Sequence, residues 1–182
     1  MAEQDAALAA RCLRGDTDAY DELVRRHERA LYNGALRIVR NSEDARDIVQ
    51  GVFVKAYEKL STYDPERKFF SWIYRMMVNA SLNWVEARRT HQELEADLPS
   101  SEPSPEGEFV MGEESRRIEE ALARLKPEHR LAVVLRYFGE LSYDELSYVL
   151  DLPAKTVKSR LYEARRLLAA YMTEAGVSHG TH

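Results

Sequence analysis

Between Ala96 and Ser115 the chain carries six acidic residues, Asp97, Glu102, Glu106, Glu108, Glu113 and Glu114, and neither a Lys nor an Arg. Pro99, Ser100, Ser101, Pro103, Ser104, Pro105, Gly107 and Gly112 crowd the same stretch. Turn-forming residues interrupt regular structure and like charges repel, so residues 91–115 read as a flexible acidic linker. A chain of 182 residues has room for one ordinary domain or two small ones, and a linker in this position selects two.

Both flanking segments read as helical, and no stretch alternates strictly enough, with β-branched residues, to mark a strand. Residues 2–14 form a short Ala-rich helix stopped by Gly15. From Thr17 to Arg40, a stripe of period 3.6 runs through Tyr20, Leu23, Val24, His27, Leu31, Ala35 and Ile38. Ser42 is placed to cap the next helix, with Glu43 and Asp44 in its first turn, where acids suit the helix dipole. That helix is expected to bury Ile48, Val49, Val52, Phe53, Ala56, Tyr57 and Leu60. A polar loop, 61–68, then leads to a third long helix, Phe69–Arg89. Beyond the linker, Ile118, Leu122 and Leu125 mark one helix, and Pro127 opens another that runs through Phe138 to Gly139. Ser142 and Glu145 have the spacing of a capping box, Asp151-Leu152-Pro153 breaks the short helix that follows, and a last helix runs from Ala154 to Met172. The expected fold is all-α: domain 1–90, linker 91–115, domain 116–173 with a helix-turn-helix, and a disordered tail, 174–182.

Charge sharpens the division. The formal net charge of −5 splits into −1 for residues 1–95, −6 for 96–115 and +2 for 116–182. An acidic whole argues against a simple DNA clamp, yet it permits one local basic surface. With 45% hydrophobic and 31% charged residues, a core can form. Cys12, the single cysteine, excludes an internal disulfide and a Cys-based zinc site. There is no run of about 18 apolar residues, and the N-terminus lacks the basic start of a secretory signal, so a cytoplasmic protein without membrane insertion is expected.

The last two helices, Tyr143–Leu150 and Ala154–Met172, are close enough in sequence for a helix-turn-helix. In the second, Val157, Leu161, Ala164 and Leu168 define an inward side. Residues 153–172 hold Lys155, Lys158, Arg160, Arg165 and Arg166 against Glu163 alone, a local charge of +4. Basic and short polar groups near a helix N-terminus suit phosphates and base edges. A solvated basic face on an ordinary helical hairpin is the competing reading. The helix starting Phe69-Phe70-Ser71-Trp72 is similarly two-sided. Trp72, Met76, Asn79 and Asn83 share one stripe, in which Asn could read a base edge and an aromatic could stack on one, whereas aromatics at helical spacing also simply build cores. Spacing leaves that choice open.

Four segments together resemble the extracytoplasmic-function sigma factors of the bacterial sigma-70 family: SEDARDIVQGVFVKAYEKL (42–60), FFSWIYRMMVNASLNWVEARR (69–89), LARLKPEHRLAVVLRYFGELSYDELSYVLDLP (122–153) and AKTVKSRLYEARRLL (154–168). The resemblance implies an initiation factor, not an enzyme, that binds the β and β′ subunits of core RNA polymerase. Its N-terminal domain would melt and read the minus-10 element, and its C-terminal domain would read minus-35 duplex. By motif, Asp47, Gln50 and Phe53 fall on the polymerase-binding helix, although Phe53 also fits the apolar stripe. The loop Thr62–Lys68, with Tyr63 and Lys68, corresponds to the one that captures a flipped base, and Asn79 stands beside its pocket. Trp72, Asn83, Arg88 and Arg89 complete the expected minus-10 surface. Lys155, Thr156, Lys158, Ser159, Tyr162 and Arg165 fall on the minus-35 face. Asn83 replaces an Asp common in the family, and Glu163 stands where some relatives are basic. That acid either accepts from a cytosine amino group or faces away. An anti-sigma factor is the implied regulator, and neither a cofactor nor a small-molecule substrate is expected.

Two other classes are weighed against this one. A self-sufficient helix-turn-helix regulator would bind duplex tightly without polymerase. A helical enzyme finds no support in His27, His91, His129, His179 or His182, none of which has metal-site spacing, or in any Gly-rich phosphate loop. His27, on an apolar stripe, reads as a satisfied core residue.

Overall fold

The computed structural model describes residues 2–94 and 113–174, and these are helical throughout apart from short connections. Most of the expected linker and the tail from residue 175 lie outside the described residues. The chain forms two compact units, the first carrying α1 (Ala2–Cys12), α2 (Thr17–Val39), α3 (Ser42–Glu58) and α4 (Phe69–Leu94). The second is built chiefly from α5 (Glu113–Ala123), α6 (Pro127–Val133), α7 (Tyr143–Leu150) and α8 (Ala154–Glu174).

In the first unit, α2, α3 and α4 pack against one another and α1 lies on α2. The α1–α2 turn is closed by Gly15 at φ +96, a conformation that glycine adopts without a Cβ penalty. Asp16 then caps α2 by accepting from the Ala19 N–H at 3.2 Å while its carboxylate pairs with Arg11. Arg40, in the left-handed region, ends α2 and throws Asn41 into an extended conformation. Asn41 is therefore the cap of α3, its Oδ1 accepting from the Glu43 and Asp44 N–H groups at 2.9 and 3.0 Å. The expected cap, Ser42, is already the first helical residue. Tyr57 is a second departure. Expected in the core, it is 49% exposed and meets the Tyr20 ring edge-on at its inner side. Tyr20 donates its hydroxyl to the Phe53 carbonyl, which joins α2 to α3 through a buried bond.

At Gly34 the α2 backbone lies directly against α4 side chains. A Cβ there would overlap the Tyr74 hydroxyl and stand 2.8 Å from Met77 Cε. Burial pushes the Tyr74 phenol up to about 12. From Phe69 to Ser81 one face of α4 is in the core, and beyond Ser81 the helix is largely exposed. It continues to Leu94, past the expected end at Arg89, because no Gly or Pro interrupts it before Pro99.

The second unit packs α6 and α5 on α8. Pro127 opens α6 as expected, but its last turn widens. Residues Val134–Phe138 form a π-helical turn closed by the Gly139 N–H on the Val134 carbonyl at 3.1 Å. The left-handed residue after it is Glu140, not Gly139. Ser142 and Glu145 form the expected capping box, and Asp151 ends α7 in the left-handed region. Leu146, Val149, Val157, Leu161 and Ala164 are buried, as the inner side of a helix-turn-helix requires.

Two measurements probe this packing. Gly34→Ala is expected to destabilise the first unit by about 1–3 kcal/mol through overpacking, read as a lower urea midpoint, with part of the loss recovered in Gly34→Ala/Tyr74→Phe. Trp72 and Trp84, the two tryptophans, both lie in this unit, so tryptophan emission follows its unfolding selectively. The second concerns His27. Burial holds its imidazole below the ordinary 6.5, against the pull of the Asp5 carboxylate and with a small push from Arg26. The folded state then resists the proton that the unfolded chain takes up, so stability is complete above 6.5 and falls as pH drops through it. The midpoint should fall between about pH 7.5 and 5.5 by more in the wild type than in His27→Gln.

Candidate nucleic-acid and polymerase interface

The outer side of α8 has the composition expected of a groove-reading helix. Lys155, Lys158, Ser159, Tyr162 and Arg165 are exposed, Tyr162 to 66%, and Thr156 is half-buried. On the opposite side Val157, Leu161 and Ala164 fill the core at i, i+4 and i+7, so helical geometry forces the polar set outward. Leu168, expected inward with them, is half-buried. Lys158 Nζ lies 5.6 Å from the Tyr143 ring centroid, where the ring face favours the ammonium. Glu163 pairs with Arg166 through two bonds, of 2.6 and 3.1 Å. The guanidinium holds its carboxyl below the usual range. The acid that departs from the family pattern thus has a local cationic partner, and the two charges largely cancel.

On α4, Asn79 and Asn83 are both exposed and one turn apart. The stripe that contains them is graded: Trp72 is buried, Met76 half-buried and the two Asn side chains are in solvent. Trp72 and Tyr63, both on the expected minus-10 surface with stacking and core packing left open for the aromatic stripe, are only 8% and 9% exposed. They pack with Phe69 at centroid distances of 5.4–5.5 Å. A loop ring beside two rings in the first turn of α4 is more stable packed against them than hydrated, and this takes all three out of the surface. Tyr63 also donates its hydroxyl to the Arg67 carbonyl at 2.6 Å, joining the two ends of the loop. Lys68 is exposed beside it. Arg88 is held 3.6 Å from Asp44 and 5.0 Å over the Trp84 ring, and Arg89 lies 3.5 Å from Glu86.

Helix α3 presents Asp47 and Gln50 outward, beside the exposed Val54. With Gly51, Lys55, Glu58 and Lys59 they line a groove of about 550 Å³ along the helix. Phe53, named with them on the polymerase-binding helix, is on the other side and 7% exposed, so its side chain has the core place that the apolar stripe also offered it. Sequence reasoning missed Asp5, the buried hydrogen-bond partner of His27, because no local periodicity links residues 22 apart. The Glu163–Arg166 pair, in contrast, had a visible i, i+3 spacing.

Comparison with known proteins agrees with this division. The family described as Sigma-70 region 2 matches residues 23–91, and that described as Sigma-70, region 4 matches residues 115–168. The RNA polymerase sigma-H factor of Pseudomonas aeruginosa is 30% identical over 178 residues, covering 91% of this chain and 92% of that protein. The ECF RNA polymerase sigma-E factor of Haemophilus influenzae is 32% identical, covering 92% and 96%. Among solved structures, CnrH in complex with the cytosolic domain of CnrY superposes with a TM-score of 0.69 at 28% identity, over 94% of this chain and 98% of that one. The sigma factor RpoE in complex with the anti-sigma factor NepR from Bartonella quintana has the same fold, with a TM-score of 0.74 at 18% identity over 85% and 96%. The chain belongs to the extracytoplasmic-function sigma factors of the sigma-70 family. Such proteins direct core RNA polymerase to promoters and are not enzymes. Among the described residues no helix is long and apolar enough to cross a membrane.

Proposed function

We propose that the three exposed surfaces divide the work of initiation. The outer side of α8 reads minus-35 duplex through Lys155, Thr156, Lys158, Ser159, Tyr162 and Arg165. Asn79 and Asn83 of α4, with Lys68 and the loop before it, receive the displaced minus-10 strand, and Arg88 and Arg89 hold its phosphates. Tyr63 and Trp72 form the floor of that site rather than its stacking faces. Asp47 and Gln50 on α3 meet the core polymerase. The observation that carries this reading is the separation of sides on α8, where Lys155, Lys158, Ser159, Tyr162 and Arg165 are exposed and Val157, Leu161 and Ala164 are buried.

Recognition of a displaced base requires unstacking, which costs about a few kcal/mol, so a site already shaped by a packed aromatic floor lowers the ordering still needed. The family resemblance adds an anti-sigma factor as regulator, which would co-purify in stoichiometric amount from the native host under non-inducing conditions.

The deciding experiment is transcription with core polymerase followed by mapping of the start sites. Initiation at a defined set of promoters supports the reading, and a folded chain that gives none overturns it. Specific duplex binding by the free chain at about 10⁻⁸ M in physiological salt would instead favour a self-sufficient regulator. Lys158→Ala should weaken minus-35 binding and lower the salt slope by about one phosphate's share. Asn79→Ala should reduce open-complex formation more than duplex binding, and unchanged melting would remove Asn79 from the pocket.

A further inference from the structure

Asp5 of α1 and His27 of α2 are polar residues inside an apolar core, 4% and 8% exposed. His27 donates from Nε2 to Asp5 Oδ2 at 3.0 Å, and Arg26 Nη1 donates to the other carboxylate oxygen at 3.2 Å. A buried carboxylate is costly to leave unpaired, so these bonds hold α1 at one place on α2.

The pair also leads to the loop before α4. The His27 ring lies 5.6 Å from the rings of Phe69 and Phe70, the first two residues of that helix. Phe69, fully buried, stands edge-on to Tyr63 at 5.4 Å and lies 5.5 Å from Trp72. Tyr63 in turn closes the loop on the Arg67 carbonyl. Asp5 is near enough to the Tyr63 phenol for its charge to add to burial in raising that group's pKa. Side chains in sequence of contact therefore connect the docking of α1 to the shape of the loop.

We propose that Asp5 and His27 are a positioning pair for minus-10 recognition. By docking α1 they fix Phe69, and through Phe69 they fix Tyr63, so that Thr62–Lys68 keeps the shape that receives a displaced base. The inference rests on the reading of that loop as the base-receiving site. Neither residue touches DNA, so their effect is confined to the affinity that the captured base itself contributes.

The test uses holoenzyme assembled from core polymerase and the full chain on forked promoter templates whose minus-10 non-template strand is already single. Each template carries either the intact base or an abasic sugar at one minus-10 position. Asp5→Asn and His27→Leu, the latter keeping apolar packing on Phe69, should bind the intact fork about tenfold more weakly, the size of one buried charge-assisted hydrogen bond. On the fork that is abasic at the captured position they should match the wild type. His27→Gln, which keeps a donor, should stay within about threefold of wild type on the intact fork. Affinity for core polymerase should not change, and tryptophan emission establishes that each variant is folded at the assay temperature. Equal losses on intact and abasic forks, or no loss on either, overturn the positioning role. Asn79→Ala on the same templates keeps the two readings apart. A base-dependent loss in Asn79→Ala with none in Asp5→Asn overturns the positioning pair alone. Base-independent behaviour in every variant overturns the pocket as well.

Discussion

Burial of one apolar face each by α2, α3 and α4 is the interaction on which the first unit depends. A helix that turns Val49, Val52, Phe53 and Ala56 inward has no freedom over where Asp47 and Gln50 go, because each stands two positions before an inward residue, Val49 and Val52, and two positions is about half a turn. The same geometry on α4 takes Trp72, Ile73, Met77 and Val78 into the core and leaves Asn79 and Asn83 in water. The polar residues proposed to meet polymerase and DNA are thus oriented by the apolar ones behind them. Gly34 sets how closely this can be done, since only a residue without a side chain lets the α2 backbone meet Tyr74.

Most of this was legible as periodicity. The 3.6 stripe of α2, the capping box at Ser142 and the two-sided pattern of α8 are local in sequence, and local patterns survive into the fold. Failures fall where tertiary context chose between locally equivalent options. Asn41 and Ser42 are both good caps, and the left-handed Arg40 decides between them. Tyr57 fits the apolar stripe by spacing but sits at its edge, where a phenol can remain half in water. Spacing likewise left the aromatics at the start of α4 undecided between stacking and packing. Phe69, available only once the loop has folded back, draws Tyr63 and Trp72 under the surface. The Asp5–His27 bond joins two helices, and no pattern within either one announces it.

The aromatic cluster changes the chemistry assigned to the loop before α4. Rings packed edge-on below a polar segment act through rigidity, whereas exposed rings would act through stacking. Asp64 accepts from the Glu66 N–H at 3.0 Å, and Tyr63 bonds the Arg67 carbonyl, so the segment is held at both ends as well as from beneath. A loop held in this way would need less ordering on binding, and in the proposed reading specificity falls to exposed polar groups, Asn79 foremost.

Charge completes the division of roles. The formal charge of −5 is misleading as a property of the whole, because residues 96–115 alone carry −6 while residues 153–172 carry a local +4. Within that helix Glu163 cancels Arg166, which leaves Lys155, Lys158 and Arg160 in its first two turns and Arg165 beyond them. Base edges in a major groove are met by the N-terminal turns of a recognition helix, and positive charge concentrated there favours engagement in that orientation over loose attachment along its length. The three basic residues proposed for the α8 face, Lys155, Lys158 and Arg165, would by themselves give a shallow salt dependence and weak affinity for random duplex. A duplex-reading helix with so small a basic footprint is suited to work alongside a second, polymerase-borne attachment to the template, for which the exposed Asp47, Gln50 and Val54 of α3 are the proposed surface.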